Sequence, residues 1–292
     1  MQGFSTTARS HLHRPCIAYN VRGLLPYVTA WRWQRHLARR AMDAQRQGID
    51  HPDSILVVEH PSVYTLGRGS TLENLKFDPA DQNGCLHEIH RVERGGEVTW
   101  HGPGQVVCYP ILDLTQHKKD LHWYWDGIES AVIDSIASFG VKGERDPAGT
   151  GVWVGGAKIA AIGLSASRWI TMHGLALNIN PDLSHFSKIV PCGIADRTVT
   201  SLELELARSK EGGRRDVATS EARGRLIQSL ASKFGLEVSL IDVEAAPIVG
   251  KSLFESMLIR GGEDGTPSDV DRSECEIHLD DAAWLEKHQR PL

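Results

Sequence analysis

The sequence predicts a domain of mixed α and β structure. Short apolar runs typical of strands recur along the chain, and segments with the 3.6-residue apolar period of a helix stand between them. Two further runs, 151–154 and 158–164, are separated by Gly155 and Gly156, which predicts a β-hairpin with antiparallel strands. These patterns leave the order of the strands in the sheet open.

Composition limits the classes of function. The 292 residues suit one large domain or two small ones, and 41% are hydrophobic, enough for a sizeable core. A net charge of -5 gives no overall sign of nucleic-acid binding, and no apolar run approaches the roughly 18 residues that cross a membrane. The five cysteines are widely spaced without a CxxC pair, and the histidines form no HExxH. We therefore expect reduced cysteines, no metal and no cofactor.

The first half of the chain alternates predicted strands and helices. Strands are predicted at 16–21 and at 54–59, where a continuous apolar run is typical of a buried strand. The apolar period between them predicts an amphipathic helix over 25–47. Residues 60–68 are predicted as a loop and a short strand, and 106–112 as a strand.

The second half repeats this alternation. Glycine commonly follows the last residue of a helix, and two predicted helices end in this way. In order, the predicted elements are a helix over 121–139 ended by Gly140, the hairpin, a strand at 173–179, a helix over 219–234 ended by Gly235, and a strand at 236–243.

Three regions of different composition divide the chain. Residues 1–15 form a basic head, which resembles the tail of an organellar transit segment and equally resembles a plain basic terminus. Residues 16–243 contain the strands and helices described above, and a short helix is predicted over 280–288. Residues 244–292 form an acidic extension with a linker-like stretch rich in Gly and Ser.

Residues 94–105 hold four glycines and a proline, with one Arg, one Glu and one His among them. Glycines lack a Cβ, so a ligand can approach their backbone closely. A plain loop between two strands is the simplest interpretation, and a phosphate-binding turn is another. A phosphate turn usually leads into a helix N-terminus, whereas this stretch leads into the strand at 106–112. We interpret it as the wall of a ligand pocket.

Lys158 and Cys192 are candidate reactive residues. A lysine just past a hairpin turn is ordinarily a solvated edge residue, and a free cysteine is ordinarily a small buried hydrophobe. Cys192 differs from the other cysteines because Pro and Gly flank it, which predicts an exposed turn. The others lie in predicted strands, where they pack, or in polar segments with no base nearby: Cys16, Cys108, Cys85 and Cys275.

Four motifs give the chain a resemblance to the lipoyl(octanoyl) transferases, within the wider biotin/lipoate protein ligase family. In order and spacing they are RGGEVTWHGPGQ at 94–105, GGAKIAAIG at 155–163, HGLALN at 173–178 and VPCGI at 190–194. The resemblance covers about residues 16–243. It implies an α+β fold, with a mixed, mostly antiparallel β-sheet flanked by helices and an acyl pocket between sheet and loops.

The resemblance also implies an activity. An octanoyl group moves from octanoyl-acyl carrier protein to a lysine ε-amino group on lipoyl domains of 2-oxoacid dehydrogenase complexes or on the glycine cleavage H protein. Cys192 would carry the octanoyl group as a thioester. A free thiol is only a few per cent ionised at pH 7, so Lys158, the matching family position, would stabilise the thiolate with its ammonium group. Neither nucleic acid nor membrane is an expected partner.

The same resemblance assigns the acyl pocket, whose small residues leave room for an eight-carbon chain. His101 is expected to donate a hydrogen bond to the thioester or its oxyanion, and backbone N–H groups near Cys192 are expected to complete an oxyanion hole. The implied substrate-binding residues are Arg94, Gly95, Gly96, Glu97, Val98, Thr99, Trp100, His101, Ala161, Ile162, Gly163, Gly174, Leu175 and Ala176.

Two rival functions and the location stay open. An ATP-dependent lipoate or biotin ligase would share the fold but needs no nucleophilic cysteine, and a non-catalytic module could bind an acyl carrier without turnover. The sequence LHWY at 121–124 resembles the plastid and cyanobacterial branch of the transferases. We therefore expect a bacterial cytoplasm or an organelle, the plastid rather than the mitochondrion.

Overall fold

The computed structural model describes residues 13–77, 88–146, 149–190, 198–209 and 217–245. Their strands are β1 (Arg14–Leu24), β2 (Asp53–Glu59), β3 (Val63–Leu66), β4 (Glu88–Arg91), β5 (Val98–His101), β6 (Gln105–Ile111), β7 (Glu144–Asp146), β8 (Gly149–Val154), β9 (Ala157–Ser167), β10 (Ile170–Asn178) and β11 (Leu236–Glu244). Their helices are α1 (Tyr27–Gln47), α2 (Leu121–Ala137), α3 (Leu202–Arg208) and α4 (Thr219–Phe234), with 3-10 turns at Leu72–Asn74 and Leu183–Lys188.

The strands form a large and a small sheet. The large sheet has eight strands in the order β11-β1-β2-β6-β10-β9-β8-β7, and the small sheet has three in the order β4-β3-β5. In the large sheet β1 is parallel to β11 and β2, whereas every other neighbouring pair is antiparallel. The predicted α+β fold with a mixed, mostly antiparallel sheet is confirmed.

Helices cover both faces of the large sheet. Side chains alternate between the faces of a strand. On β6, Cys108 belongs to the core formed with α2 and α4, whereas Tyr109 faces Tyr27 of α1. Both Cys16 and Cys108 are buried, and burial raises the pKa of each thiol far above its ordinary value. Their predicted packing role is confirmed.

The helix ends follow the predicted glycines with one difference. Gly235 ends α4 with a left-handed φ of 63°, as predicted. The second helix ends earlier than predicted, at Ala137 instead of 139. Beyond Ala137 the hydrogen bonds are of the 3-10 type, in which an N–H donates to the carbonyl three residues earlier. Phe139 donates to the carbonyl of Ile136 and Gly140 to that of Ala137, so Gly140 lies in the turn beyond the helix. None of the helices that the structure describes is long and apolar enough to cross a membrane.

The glycine-rich stretch contains a strand that the sequence analysis missed. Residues 98–101 form β5, which pairs with β3 in the small sheet. Val98 and Trp100 are buried there in a cluster with Tyr64 and Leu66. The stretch 94–105 is therefore not one continuous loop, because four residues of strand separate two short glycine turns.

The two ends of the described chain meet in the large sheet. Arg14 at the start of β1 pairs with Leu236 at the start of β11. The acidic extension lies outside the described residues except for its first two, Glu244 and Ala245, and the domain boundaries at 15/16 and 243/244 stay predictions.

We expect Gly174→Ala to destabilise the protein strongly. A Cβ at Gly174 on β10 would lie 2.1 Å from the carbonyl oxygen of Cys108 on β6, so alanine forces two paired strands apart. The free energy of unfolding in urea should fall by about 3 kcal/mol. The control is Gly224→Ala in α4, where a Cβ meets nothing within 4 Å; it should raise that free energy by about 0.5–1 kcal/mol. Equal stability of the two variants would contradict the strand contact.

Candidate active site

A cavity lies where the large sheet meets the glycine-rich stretch. It holds about 1030 Å³, including the part open to solvent. Its walls come from α1, β5, β6, β8, β9 and β10 and from the chain just after 197. The lining residues are Tyr27, Arg94, Gly96, Glu97, Val98, Thr99, His101, Gln105, Val107, Tyr109, Gly149, Thr150, Trp153, Lys158, Ala161, Ile162, Gly163, His173, Gly174, Leu175, Ala176, Asn178, Phe186, Thr198 and Val199.

Most of the predicted site residues with described positions line this one cavity, although their motifs are far apart in sequence. Lys158 lines it together with the predicted residues of β9 and β10. Gly95 and Trp100 lie elsewhere. The Gly95 N–H donates to Leu164, and the Trp100 ring is buried behind β5, stacked 4.5 Å from His185. Substrate binding by the lining residues stays a prediction.

Cys192 lies outside the described residues, but the chain on both sides of it is held. Val190, two residues before it, donates its N–H to the carbonyl of Asn74 at 2.8 Å. After it, the Lys158 N–H donates to the carbonyl of Thr198 at 3.0 Å, and the Thr200 N–H donates to the carbonyl of Lys158 at 2.9 Å. The described chain that resumes at Thr198 is therefore bonded to the backbone of Lys158.

A buried polar chain supports the glycine-rich wall. Arg94 is 8% exposed and donates to the carbonyl and hydroxyl oxygens of Thr65, both at 2.8 Å. His101 Nδ1 lies 2.8 Å from the Gln105 carbonyl oxygen Oε1, and Gln105 donates from Nε2 to Asn178 at 2.9 Å. Since an amide oxygen only accepts, His101 donates from Nδ1. These bonds join both ends of the glycine motif to β3 and β10.

His101 is a neutral imidazole in this arrangement. Burial lowers its pKa to about 3, and the nearby His60 and Arg94 act in the same direction. Its Nδ1–H is used by Gln105, and its bare Nε2 lies 3.4 Å from the Thr65 hydroxyl. No ring N–H is left to donate to an oxyanion, so the expected role of His101 as an oxyanion donor needs correction.

Tyr27, His60 and Tyr109 form a second buried group behind His101. The Tyr27 ring stacks on His101 with centroids 6.0 Å apart. His60 donates from Nδ1 to the carbonyl of Leu25 at 2.7 Å and accepts at Nε2 from the Tyr109 hydroxyl at 2.8 Å. Burial lowers the pKa of His60 to about 4, although the bond to Leu25 opposes this. Sequence reasoning missed both tyrosines, because each lies in a segment whose pattern is that of ordinary core.

His173 enters the cavity from a strained backbone position. Its φ is 58°, which is uncommon for a residue with a side chain. The buried Gln34 of α1 accepts its N–H at 2.9 Å, and its Nε2 lies 3.6 Å from a carboxylate oxygen of Glu93. Burial raises the pKa of Glu93, but His173 and a hydrogen bond from Trp31 outweigh it and lower the pKa to about 2. The first residue of the HGLALN motif is thus oriented by α1.

No group of three or more metal-ligating side chains occurs among the residues that the structure describes. Lys158 instead faces an aromatic ring, with its Nζ 4.8 Å from the centroid of Trp153. A cation, a thiol on the adjoining segment and a cavity walled by small residues can together support acyl transfer.

Comparison with known proteins agrees with this geometry. Residues 26–231 match the model of the lipoyl protein ligase A/B catalytic domain. The octanoyltransferase of Nostoc sp. strain PCC 7120 is 50% identical over 226 residues, which cover 76% of this chain and 94% of that protein. The octanoyltransferase of Gloeobacter violaceus is 54% identical over 180 residues, covering 62% of this chain and 77% of that protein.

Solved structures share the fold at low sequence identity. A lipoate-protein ligase A bound with ATP has a TM-score of 0.57 at 14% identity, covering 85% of this chain and 94% of that one. A bi-partite lipoate protein ligase from Thermoplasma acidophilum has a TM-score of 0.56 at 14% identity, covering 85% and 91%. The chain belongs to the lipoyl protein ligase A/B catalytic domain family. Within that family it groups with the octanoyltransferases, which are acyltransferases.

We expect the protein to lose stability as the pH falls from about 6.5 to about 4. Free histidine titrates near 6.5, so the unfolded chain takes up a proton in this window that folded His60, with its pKa of about 4, does not. The stabilisation is complete above the window and is lost below it, by roughly 3 kcal/mol for His60 alone.

Urea unfolding at each pH measures the effect. His60→Gln should flatten the profile between pH 6.5 and 4, whereas the control His122→Gln, on the exposed side of α2, should leave the profile unchanged. A His60→Gln profile parallel to the wild type would contradict the assignment.

Proposed function

We propose that the chain transfers an octanoyl group in two half-reactions, through a thioester on Cys192. The donor is octanoyl-acyl carrier protein, and the acceptor is a lysine ε-amino group on a lipoyl domain. The observation that carries the proposal is that Lys158 lines the cavity while its backbone is hydrogen-bonded to the chain that follows Cys192. Its support also includes the octanoyltransferases at about 50% identity.

In the first half-reaction the Cys192 thiolate attacks the carbonyl carbon of the donor thioester. A new C–S bond forms, the C–S bond to the carrier breaks, and the carrier leaves as a thiol after taking a proton from the Lys158 ammonium group, which becomes a neutral amine. Lys158 stabilises the attacking thiolate with its ammonium group, because an opposite charge nearby favours the ionised form of a thiol.

In the second half-reaction the acceptor amine attacks the Cys192 thioester as a neutral nucleophile. The C–N bond forms, the C–S bond breaks, and Cys192 leaves as a thiolate. The proton released by the amine is taken up by the neutral Lys158 amine, which acts here as base or relay and returns to its ammonium form. The same pair of residues therefore serves both steps, first as thiolate and cation, then as leaving group and proton acceptor.

The acyl chain lies on a floor of small residues. Gly174 of β10 pairs directly with Gly163 of β9, and Ala176 pairs with Ala161. Residues opposite each other and two apart along a strand share one face of the sheet, so these four leave a bare strip there. The aliphatic part of the Arg94 side chain bounds this strip on one side, since a Cβ at Gly163 would lie 2.9 Å from the Arg94 Cδ. Each buried methylene adds about 0.8 kcal/mol to binding.

The acceptors we propose are the lipoyl domains of 2-oxoacid dehydrogenase complexes or the glycine cleavage H protein. The solved Thermoplasma ligase was described together with its E2 lipoyl domain, and that protein shares this fold. An ATP-dependent ligase is the nearest alternative, because a related fold binds ATP. The VPCGI motif and the named relatives favour the transferase.

Intact-mass spectrometry after incubation with octanoyl-acyl carrier protein tests the thioester. The wild type should gain the mass of one octanoyl group, and Cys192→Ala should not. Cys275→Ala, in the acidic extension, is the matched control and should be acylated like the wild type. An adduct that persists in Cys192→Ala overturns the assignment of the nucleophile. Labelling that needs ATP and free octanoate would favour the ligase, and binding of the carrier without any adduct would favour a non-catalytic module.

Two substitutions separate the roles of Lys158. Lys158→Ala should slow acylation of Cys192 by about 10²-fold or more and raise the pH at which iodoacetamide alkylates it. Lys158→Arg keeps a cation that cannot be deprotonated, so it should restore much of the alkylation at low pH but still block transfer to the acceptor amine. An alkylation profile that is the same in Lys158→Ala and the wild type would remove Lys158 from this role.

A further inference from the structure

Trp153 lies directly opposite Lys158 in the β8–β9 hairpin. The two residues are register partners, beside an irregularity between Val152 and Trp153. Opposite residues of an antiparallel pair project from the same face of the sheet. The Lys158 Nζ consequently lies 4.8 Å from the centroid of the Trp153 ring, within the range of about 6 Å for a cation–π contact.

The Trp153 ring of this contact is buried, and Lys158 is half-buried. Trp153 is 3% exposed, and both residues line the cavity. Cation–π attraction is stronger when the cation is shielded from water, and tryptophan offers the most favourable ring. Neutral amines gain much less from the ring than ammonium groups, because the attraction is between a full charge and the negative face of the ring.

Lys158 is thus held from two directions. Its backbone is bonded to Thr198 and Thr200, and its side chain is packed against the Trp153 ring. A lysine side chain has four rotatable carbon–carbon bonds and loses considerable entropy when it is confined. The ring reduces the freedom of the ammonium group at the place where the cavity needs a fixed charge.

We propose that Trp153 is a positioning residue, which holds the Lys158 side chain in the cavity and favours its ammonium form over its neutral amine. The proposal rests on the proposed function, in which Lys158 is charged when Cys192 attacks and becomes charged when the acceptor amine is deprotonated. The ring stabilises the charged form in both steps, so its loss slows both.

Other charged or titratable groups share this environment and are kept in every variant. Across β8, Glu144 of β7 is the register partner of Trp153 on its other side. From the remaining walls of the cavity come Arg94, Glu97, His101 and His173. Substitutions at Trp153 alone therefore keep these groups constant.

The test compares Trp153→Leu, which removes the aromatic face but keeps apolar bulk, with Trp153→Phe, which keeps a weaker aromatic face. Reductive methylation of the full-length protein at fixed pH, followed by peptide mass spectrometry, measures the neutral-amine fraction of Lys158. Methylation should be about 2- to 30-fold faster in Trp153→Leu than in the wild type, with Trp153→Phe between them. Acylation of Cys192 should slow in the same order.

A control and a coupled variant exclude a merely structural role. Trp123→Leu removes a partly buried ring that packs on Phe234, away from the cavity; it should lower stability without changing Lys158 methylation. In the Lys158→Ala background, Trp153→Leu should leave the pH profile of Cys192 alkylation unchanged. If Trp153→Leu does not fold, a methylation rate in Trp153→Phe above that of the wild type still supports the proposal.

Three results overturn it. They are equal methylation in the Leu and Phe variants, a rate in Trp153→Phe no higher than in the wild type, and a Trp153→Leu effect on Cys192 that persists without Lys158. The proposed function fails separately. It is contradicted when wild-type Cys192 gains no acyl adduct, and this result does not depend on the methylation rates.

Discussion

Two backbone hydrogen bonds between Lys158 and the segment at 198–200 are the constraint on which the site depends. They attach the start of β9 to the chain that follows Cys192, at the rim of the cavity. This link joins residues about 40 positions apart in sequence, which only the folded chain brings together. Other parts of the site lie on the neighbouring strands: the small floor residues are further along β9 and β10, and Trp153 of β8 faces Lys158 across the hairpin.

The buried polar groups in and behind the cavity wall are either neutral or hydrogen-bonded to a partner. His60 and His101 are surrounded by rings and lose affinity for protons, whereas Arg94 stays charged and satisfies the oxygens of Thr65. Unpaired charges in such a place would attract water to a pocket that must hold a hydrocarbon chain. Lys158 also lines the cavity, and the Trp153 ring is a partner that favours a cation without supplying a competing base.

The fold alone does not decide the chemistry. A ligase bound with ATP shares this fold at 14% identity, whereas the relatives at about 50% identity are octanoyltransferases. Function therefore has to be argued from the site. In the proposed function the distinguishing residues are Cys192, which would carry the acyl group, and Lys158, which lines the cavity.

Local patterns in the sequence determined most of the elements of this protein. The Gly155-Gly156 turn predicted the β8–β9 hairpin, because two successive residues with positive φ are accessible to glycine, and the apolar periods predicted α1, α2 and α4 within a few residues. The four motifs then identified the family. They also assigned Lys158 and the small residues of β9 and β10 to one site, and these residues line the same cavity.

Only the tertiary structure decided which side chains meet. Strand β5 was missed because its four residues are flanked by glycines and are stabilised by pairing with β3, a contact invisible in the local pattern. Tyr27, Trp153 and His173 were missed for the same reason, since an aromatic residue in a buried strand or helix looks like core until its neighbours are known. Sequence specifies local conformation through short-range sterics and hydrogen bonding, whereas a site is made of contacts between distant segments that the packed core alone brings together.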